Sequence, residues 1–342
     1  MHKRKSLLLL NLGTPDSTST ADVRRYLKEF LSDPRVLDIP KLLRWFLLHC
    51  IILPFRPKKS AEAYSQIWTD EGSPLLVYTK KLAEKIQPHM KDTRVYYAMR
   101  YQNPSIKSTL QNIQKDGCDS LTILPLFPQY SSAANGSAIE KVFQELSTQW
   151  NIPDIKVRHD FYEHPGFIKA FAEIGRSHLN SFKPDKIMFS FHGLPERHCR
   201  KSDESPNKDY CFSNTNCCDT ITKSNRRCYR AQCYATARAL AKELNLTEKD
   251  WEVSFQSRLG RTPWIQPYTD NRLSDLPKEN VKKLAVYCPS FVADCLETLE
   301  EIEIRAKADF ISHGGTDLIL IPSLNINDTW IQAVKEIASD IE

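Results

Sequence analysis

One histidine of this chain directly follows a short apolar segment of strand length. The segment is Ile187–Phe191, the imidazole is that of His192, and Gly193 and Pro195 then turn the chain. In open α/β sheets, ligands bind beyond the carboxyl ends of parallel strands, so an imidazole in this position would face a cleft. The alternative is a core histidine whose ring is satisfied by a neighbouring carbonyl group. The cleft is favoured because other predicted strands also end in polar or aromatic residues.

Three carboxylates recur at helical spacing in the segment Phe291–Glu301. Asp294, Glu297 and Glu301 stand at positions i, i+3 and i+7 of one predicted helix. One interpretation is a solvated acidic face near a helix N-terminus. The other is a stripe of hard oxygen ligands that leads cations or protons inward, opposite an imidazole.

Six of the ten cysteines lie between residues 199 and 233. The N-terminal residues Met1–Ser6 lack the long apolar region and cleavage site of a signal peptide, so disulfides are not expected. A metal or cluster site is the better interpretation. Cys233 shares a predicted helix face with Ala237 and Leu240 and is assigned to packing. Five candidates remain: Cys199, Cys211, Cys217, Cys218 and Cys228.

Eight short apolar runs alternate with amphipathic helical stretches, which is typical of parallel strands in α/β layers. The runs are Leu7–Leu12, Val95–Met99, Leu121–Leu126, Ile155–Val157, Ile187–Phe191, Trp251–Phe255, Leu284–Cys288 and Leu318–Ile321. Polar or aromatic residues end several of them, and their convergence would form a small-molecule site. These residues are Asn11, Arg100, Tyr101, Gln129, Tyr130, Ser131, His192, Gln256, Ser257 and Arg258.

The chain is predicted to divide into two similar halves. A proline, then any residue, then an apolar one follows three of the strands, at Pro125, Pro289 and Pro322. A length of 342 residues also exceeds that of one typical core. We expect an N-terminal domain over residues 1–153 and a C-terminal domain over residues 154–325. The helix within residues 326–342 is expected to pack back on the first domain.

The bulk composition limits the class of partner. A net charge of +5 is too small for a nucleic-acid footprint, but it suits an anionic small ligand or an anionic membrane surface. The run nearest to a membrane span is Trp45–Phe55, about half of the ~20 apolar residues that a span needs. Arg44, Arg56 and Lys58 flank it. One interpretation of this segment is a buried helix. The other is an exposed apolar surface, here called the apolar lip, that contacts a hydrophobic substrate or the membrane interface.

Seven segments resemble, in the same order, those of ferrochelatases, the terminal enzymes of haem synthesis. The resemblance covers almost the whole chain. It implies two Rossmann-like α/β domains, each a parallel sheet flanked by helices, with a porphyrin cleft between them. It also implies insertion of ferrous iron into protoporphyrin IX with release of two protons. The segments are Leu10–Pro15, Gly72–Pro74, Met99–Tyr101, Leu126–Ser131, Ser190–Pro195, Gln256–Trp264 and Phe291–Glu301.

The resemblance places His192 on one face of the porphyrin, as proton acceptor and metal ligand. A neutral imidazole suits both tasks near neutral pH. Glu297 would bind the metal together with His192, and Glu301 would lie behind Glu297. Arg305 occupies the next position of the family's carboxylate ladder. An iron path along this helix is therefore not expected beyond Glu301.

The resemblance also implies a porphyrin pocket. Trp264 would press on the ring. Arg56 and Ser73 would bind propionates, a task that suits the planar fork of arginine, and Tyr64 is a further candidate. Leu12 stands where relatives that use coproporphyrin place a tyrosine, which favours protoporphyrin IX.

The segment from Cys199 to Cys228, which holds the five clustered cysteines, is the main difference from the shorter ferrochelatases, where it would be an insertion. Some ferrochelatases carry a [2Fe–2S] cluster with one ligand after the Gln-Tyr-Ser motif, where this chain has Ser132. An internal [2Fe–2S] cluster, held by four of the five cysteines, is preferred. Only one of the neighbours Cys217 and Cys218 is expected to ligate. A tetrahedral zinc site and reduced thiols are the alternatives, since the spacings match neither a zinc finger nor a plant-type ferredoxin.

Two other functions remain open on the sequence. One is a chelatase for another divalent metal, since histidine and glutamate do not discriminate among such ions. The other is a porphyrin or haem carrier, which would not need the His192 and Glu297 pair. We expect a cytoplasmic protein that binds protoporphyrin IX and ferrous iron and no nucleic acid. Peripheral contact at the inner membrane face, and the choice between monomer and homodimer, are left open.

Overall fold

The computed structural model describes residues 3–213, 215–260 and 262–340. Within them the chain forms two compact units. The first contains residues 3–127, 132–160 and 331–340, and the second contains residues 128–131 and 161–330. Because the strand at residues 154–157 pairs within the first unit, the main boundary falls after Asp160 and not between residues 153 and 154.

The first unit is built on a four-stranded parallel sheet. Its strands are β1 (Lys5–Gly13), β2 (Thr93–Tyr101), β3 (Ser120–Pro125) and β4 (Asp154–Val157), in the order β2-β1-β3-β4. The consecutive leucines Leu7–Leu10 of β1 are fully buried, because this strand is central and both of its faces are covered. The helices are α1 (Thr20–Ser32), α2 (Lys41–Phe46), α3 (Leu53–Ile67), α4 (Pro74–Ile86), α5 (Ile106–Asp116) and α6 (Ser137–Leu146).

The second unit repeats this topology. Its strands are β5 (Lys186–His192), β6 (Trp251–Gln256), β7 (Lys283–Tyr287) and β8 (Asp317–Leu320), in the order β6-β5-β7-β8, and all are parallel. The helices are α7 (Pro165–Phe182), α8 (Glu196–Lys201), α9 (Tyr229–Glu243), α10 (Thr269–Asp275), α11 (Leu296–Thr298), α12 (Lys307–Ser312) and α13 (Asp328–Ser339). A π-helical segment, Leu299–Ala306, connects α11 to α12. Residues of α13 from Ile331 onward group with the first unit.

The predicted α/β fold class is confirmed, and each of the eight apolar runs overlaps one observed strand. The runs are readable because strands buried on both faces carry continuous apolar residues. In each unit the first strand of the repeat lies between the second and the third. The carboxyl ends of β1 and β5 are therefore flanked by loops from neighbouring strands, which is the usual ligand-binding edge of such sheets.

The apolar segment Trp45–Phe55 is helical, with a π-helical turn at Leu47–Ile52, but most of it is not buried. Trp45 is 58% exposed and Phe55 is 77% exposed, whereas Leu48 and Leu53 pack inward. The expectation of a buried helix is therefore wrong for this segment, and the apolar lip describes it. The lip consists of Leu42, Leu43, Trp45, Phe46, Ile51 and Phe55. None of the helices in the described part of the chain is both long and apolar enough to span a bilayer.

Candidate active site

His192 is the last residue of β5, the strand between β6 and β7. Its Nδ1 atom lies 2.6 Å from the carbonyl oxygen of Gly193. Because a carbonyl can only accept, Nδ1 carries a ring proton, so that in the neutral form of the ring the lone pair is on Nε2. The local backbone thus selects the tautomer whose Nε2 can accept a proton or bind a cation.

The turn after His192 packs closely against the segment that carries Trp264. A β-carbon on Gly193 would lie 2.8 Å from the carbonyl oxygen of Gln256 and 3.2 Å from the indole ring of Trp264. Only glycine allows this approach. Pro195 forms a β-bridge with Trp264, whose indole N–H donates to the carbonyl of Leu259 at 2.9 Å. The indole is therefore fixed beside the His192 turn; Arg261, within the same motif, lies outside the described residues.

The buried amide of Gln256 connects β5 to the start of α11. Its Nε2 donates to the carbonyl of Glu297 at 2.8 Å, and its Oε1 accepts from the hydroxyl of Ser190 at 2.8 Å. Gln256 also pairs with His192 in the sheet register. One side chain therefore fixes the backbone of the carboxylate helix relative to the strand that ends in His192.

Glu301 is held by its neighbour across this edge, Ser257. The backbone N–H and the hydroxyl of Ser257 both donate to the Glu301 carboxylate, at 2.9 and 2.6 Å. Ser257 adopts a left-handed backbone with φ of 66°, which few residues other than glycine favour. Burial raises the pKa of Glu301 above its usual value, although the Ser257 hydrogen bonds and the charge of nearby His192 oppose that shift.

Asp294 does not belong to the carboxylate stripe. The helix begins only at Leu296, and the Asp294 carboxylate accepts hydrogen bonds from Ser323 N–H at 3.2 Å and Asn325 Nδ2 at 2.7 Å. Asp294 therefore fixes the loop that follows β8. The prediction that it shares a helix face with Glu297 and Glu301 is wrong, because the chain is still extended at Cys295.

The thiol of Cys295 lies beside Glu297. Burial raises the pKa of Cys295 well above its usual value, and the Glu297 carboxylate raises it further. The thiol therefore stays protonated, as expected of a packing residue. Across the described ranges, no three side chains among His, Cys, Asp and Glu are arranged to hold a metal ion. His192 and Glu297 both lie close enough to Glu301 for their charges to affect its pKa.

The predicted porphyrin-binding residues other than Trp264 lie in the first unit. Leu12 is half-buried near the end of β1, and the Ser73 hydroxyl accepts from the Thr14 hydroxyl at 2.8 Å. Arg56 is exposed on α3. Tyr64, two turns further along α3, is only 6% exposed. Its ring packs at 6.4 Å from Tyr26 and 6.1 Å from Trp68.

The five clustered cysteines are all buried as free thiols in the second unit. The thiol of Cys228 interacts with those of Cys199, Cys211 and Cys218. Hydrogen bonding to Cys228, together with burial, raises the pKa of Cys199 and of Cys218. The bond with Cys199 lowers the pKa of Cys228 itself. Cys217 instead contacts Cys218, with 3.8 Å between their Sγ atoms.

An arginine that the sequence did not point to accompanies these thiols. Nη1 of Arg230, in the first turn of α9, donates to Sγ of Cys218 at 3.3 Å. Its guanidinium also lies 5.0 Å from the ring centroid of Tyr234. A positive charge held beside a group of thiols favours their thiolate forms.

Comparison with known proteins shows the family of this chain. The ferrochelatase family model matches residues 4–341. A ferrochelatase of Coxiella burnetii (strain Dugway 5J108-111) is 49% identical over 333 residues, which are 97% of this chain and 92% of that protein. A ferrochelatase of Legionella pneumophila (strain Lens) is 50% identical over 339 residues, 98% of this chain and 99% of that protein. The chain belongs to the ferrochelatase family. It is accordingly an enzyme, a lyase that inserts iron into protoporphyrin in haem synthesis.

Two solved structures share the chelatase fold. SirB from Bacillus subtilis with Fe³⁺ has a TM-score of 0.56 and 12% identity, and the match covers 98% of this chain and 96% of that one. CbiX, the terminal enzyme of sirohaem biosynthesis in denitrifying bacteria, has a TM-score of 0.50 and 12% identity, with 98% of each chain covered. At such identities the likeness concerns the fold alone.

The buried position of Glu301 leads to a testable dependence of stability on pH. A carboxyl whose pKa is raised in the folded state stabilises the fold below its unfolded pKa, about 4.3, and this contribution is lost as the pH rises through the folded value. Glu301→Gln removes the ionisation. The midpoint of urea unfolding of E301Q should therefore rise relative to wild type as the pH increases above ~4.

The matched control for this experiment is E303Q, which removes a carboxylate from an exposed residue of the same π-helical segment. Its unfolding midpoint should follow the wild-type curve. Parallel curves for wild type and E301Q at every pH would contradict the burial of an ionisable Glu301.

Proposed function

We propose that His192, Glu297 and Glu301 carry out iron insertion at the edge of the second unit's sheet. The reaction must remove two pyrrole N–H protons from protoporphyrin IX and form Fe–N bonds in their place. The observation that carries this proposal is the hydrogen bond from Nδ1 of His192 to the Gly193 carbonyl. It leaves the lone pair of Nε2 as the proton acceptor of the ring.

The two glutamates supply negative charge beside the imidazole. Glu297 and Glu301 lie one helical turn apart, and Glu301 is close enough to His192 for the charges to interact. A buried carboxyl whose pKa is raised can take a proton that an imidazolium passes on. Carboxylate oxygens also attract Fe²⁺ electrostatically as it approaches. We assign proton acceptance to His192, proton relay to Glu301, and metal handling to His192 with Glu297.

Substrate binding is proposed at residues of both sequence halves. Trp264 offers an indole face to the porphyrin, and its ring is fixed by the hydrogen bond to Leu259 and by the contact with Gly193. Arg56 and Ser73 are proposed to bind propionates, because one is an exposed guanidinium and the other a hydroxyl fixed by Thr14. Leu12 provides an apolar surface that suits the vinyl groups of protoporphyrin.

Tyr64 is a weaker candidate for contact with the porphyrin than the other first-unit residues. Its ring lies among aromatic neighbours and is almost inaccessible. We assign it to supporting α3, the helix that carries Arg56. In that role it would act on propionate binding only through the position of the helix.

The proton-transfer assignment is tested with His192→Ala. Loss of a positioned base lowers kcat by about 10²- to 10⁴-fold, whereas protoporphyrin binding should change little because Trp264 and Gly193 remain. Iron insertion would be followed by absorbance, and binding by quenching of tryptophan fluorescence. Wild-type turnover in this variant would overturn the assignment. Loss of binding together with turnover would point to a structural role.

A [2Fe–2S] cluster is proposed at Cys199, Cys211, Cys218 and Cys228. The residues fit this group: the thiols are buried, the other three interact with Cys228, and Arg230 offsets negative charge beside Cys218. A tetrahedral zinc site, with four sulfurs about 2.3 Å from one ion, is the alternative occupant of these thiols. A [2Fe–2S] centre takes its four cysteines as two pairs, one on each iron. When bound, it would supply one-electron redox chemistry and cross-link the insert.

The ligand assignment is tested with two serine variants of neighbouring residues. Cys218→Ser removes a proposed ligand, so anaerobically purified protein should lose most of its iron, its sulfide and its visible charge-transfer bands. Cys217→Ser is the matched control and should keep all three. Equal loss from both variants, or stoichiometric zinc in place of iron and sulfide, would contradict the proposed set.

Peripheral contact with a membrane is proposed for the apolar lip. Large side chains such as Phe55 and Trp45 are exposed there, and Lys58 and Lys59 follow on α3. Exposed apolar groups beside basic ones suit insertion into the interface with the cations at headgroup level. An apolar, poorly soluble porphyrin would then be delivered and released at the membrane surface.

A further inference from the structure

A basic pocket of about 370 Å³ lies in the first unit, outside the residues assigned to iron insertion. One wall is formed by α1 and the other by the residues that join the π-helical turn to α3. The side chains that define it are Arg24, Arg25, Lys28, His49, Leu53 and Pro54. Neither the reaction nor the cluster uses any of them.

The pocket carries uncompensated positive charge. Arg25 forms ion pairs with Asp16 at 2.9 Å and Asp22 at 2.7 Å, so its charge is already balanced. Arg24 and Lys28 are exposed, stand one helical turn apart on α1, and form no ion pair with any residue that the structure describes. These two cations therefore define a site for an anionic group.

The same pocket adjoins the apolar lip through His49. The ring of His49 stacks on that of Trp45 with centroids 4.9 Å apart and an interplanar angle of 22°. Its Nδ1 also donates to the carbonyl of Trp45 at 3.0 Å. Trp45 is more than half exposed. An anion seated between Arg24 and Lys28 would thus lie next to a tryptophan of the kind that favours the headgroup level of a bilayer.

We propose that this pocket binds the headgroup phosphate of an anionic phospholipid. A soluble anion would account for the two cations but not for the apolar side chains at the edge of the pocket. A lipid accounts for both, because its phosphate meets Arg24 and Lys28 while its acyl chains lie beside Trp45 and Phe46. The inference rests on the proposed membrane contact and adds a headgroup preference to it.

The test compares binding of the full chain to sedimented vesicles of phosphatidylcholine alone and of phosphatidylcholine mixed with phosphatidylglycerol. The double variant R24Q/K28Q should bind the mixed vesicles about thirtyfold more weakly than wild type, and the neutral vesicles equally well. K107Q/K115Q removes the same number of charges from exposed residues of α5 and should keep the wild-type preference. Iron insertion in detergent should be unchanged in both variants, which confirms that they fold.

Each failure has a separate meaning. Wild type that binds neither vesicle would overturn the membrane contact of the lip, and the headgroup site with it. Binding to both vesicles without preference, or an equal loss in K107Q/K115Q, would overturn the headgroup site and leave the lip intact. Equal binding of wild type and R24Q/K28Q to the mixed vesicles, with binding of glycerol 3-phosphate in solution lost only in R24Q/K28Q, would assign the pocket to a soluble phosphate and overturn the lipid.

Discussion

The hydrogen bonds of the Gln256 amide connect β5, the strand that ends in His192, to the start of α11, the helix that carries Glu297. The amide accepts from Ser190 on β5 and donates to the carbonyl of Glu297 at the start of α11. A buried amide of this kind is costly to leave unpaired, so its partners are strongly constrained in position. The imidazole at the end of β5 and the carboxylates that follow Leu296 therefore keep a fixed relation. The next residue, Ser257, donates its backbone N–H to the Glu301 carboxylate and so fixes that side chain as well.

The cysteine-containing segment is organised on a different principle. Between α8 and α9 it has no regular secondary structure among its described residues, and it is held by buried polar groups. Asp203 accepts from the backbone N–H of Cys211, and Asn225 donates to the carbonyl of Cys217. With little apolar core, such a segment gains much from a covalent or metal cross-link. The buried thiols beside Arg230 provide the groups for one, and Cys228 joins them to α9.

The sequence predicted the fold class well and, in part, where the candidate site residues lie in the fold. All eight strands were found because parallel strands buried on both faces have an unmistakable apolar pattern, and His192 followed from its place at a strand end. Asp294 was misplaced because spacing alone does not show where a helix begins. The lip was ambiguous because hydropathy does not distinguish an apolar helix that packs from one that is exposed. Ser257 was named among the strand-end residues, but its pairing with Glu301 was not predicted because it depends on a left-handed backbone. Arg230 was missed, since its contact with Cys218 is one that sequence patterns do not encode.

The lone pair on Nε2 of His192 is proposed to accept the porphyrin protons. Chemical rescue tests it most directly: imidazole is added to the His192→Ala variant, and iron insertion into protoporphyrin is followed over a range of pH. Activity should return in proportion to the concentration of free-base imidazole, with protoporphyrin affinity unchanged. Rescue that follows the imidazolium concentration, or equal rescue by a non-basic analogue of the same size, would contradict it.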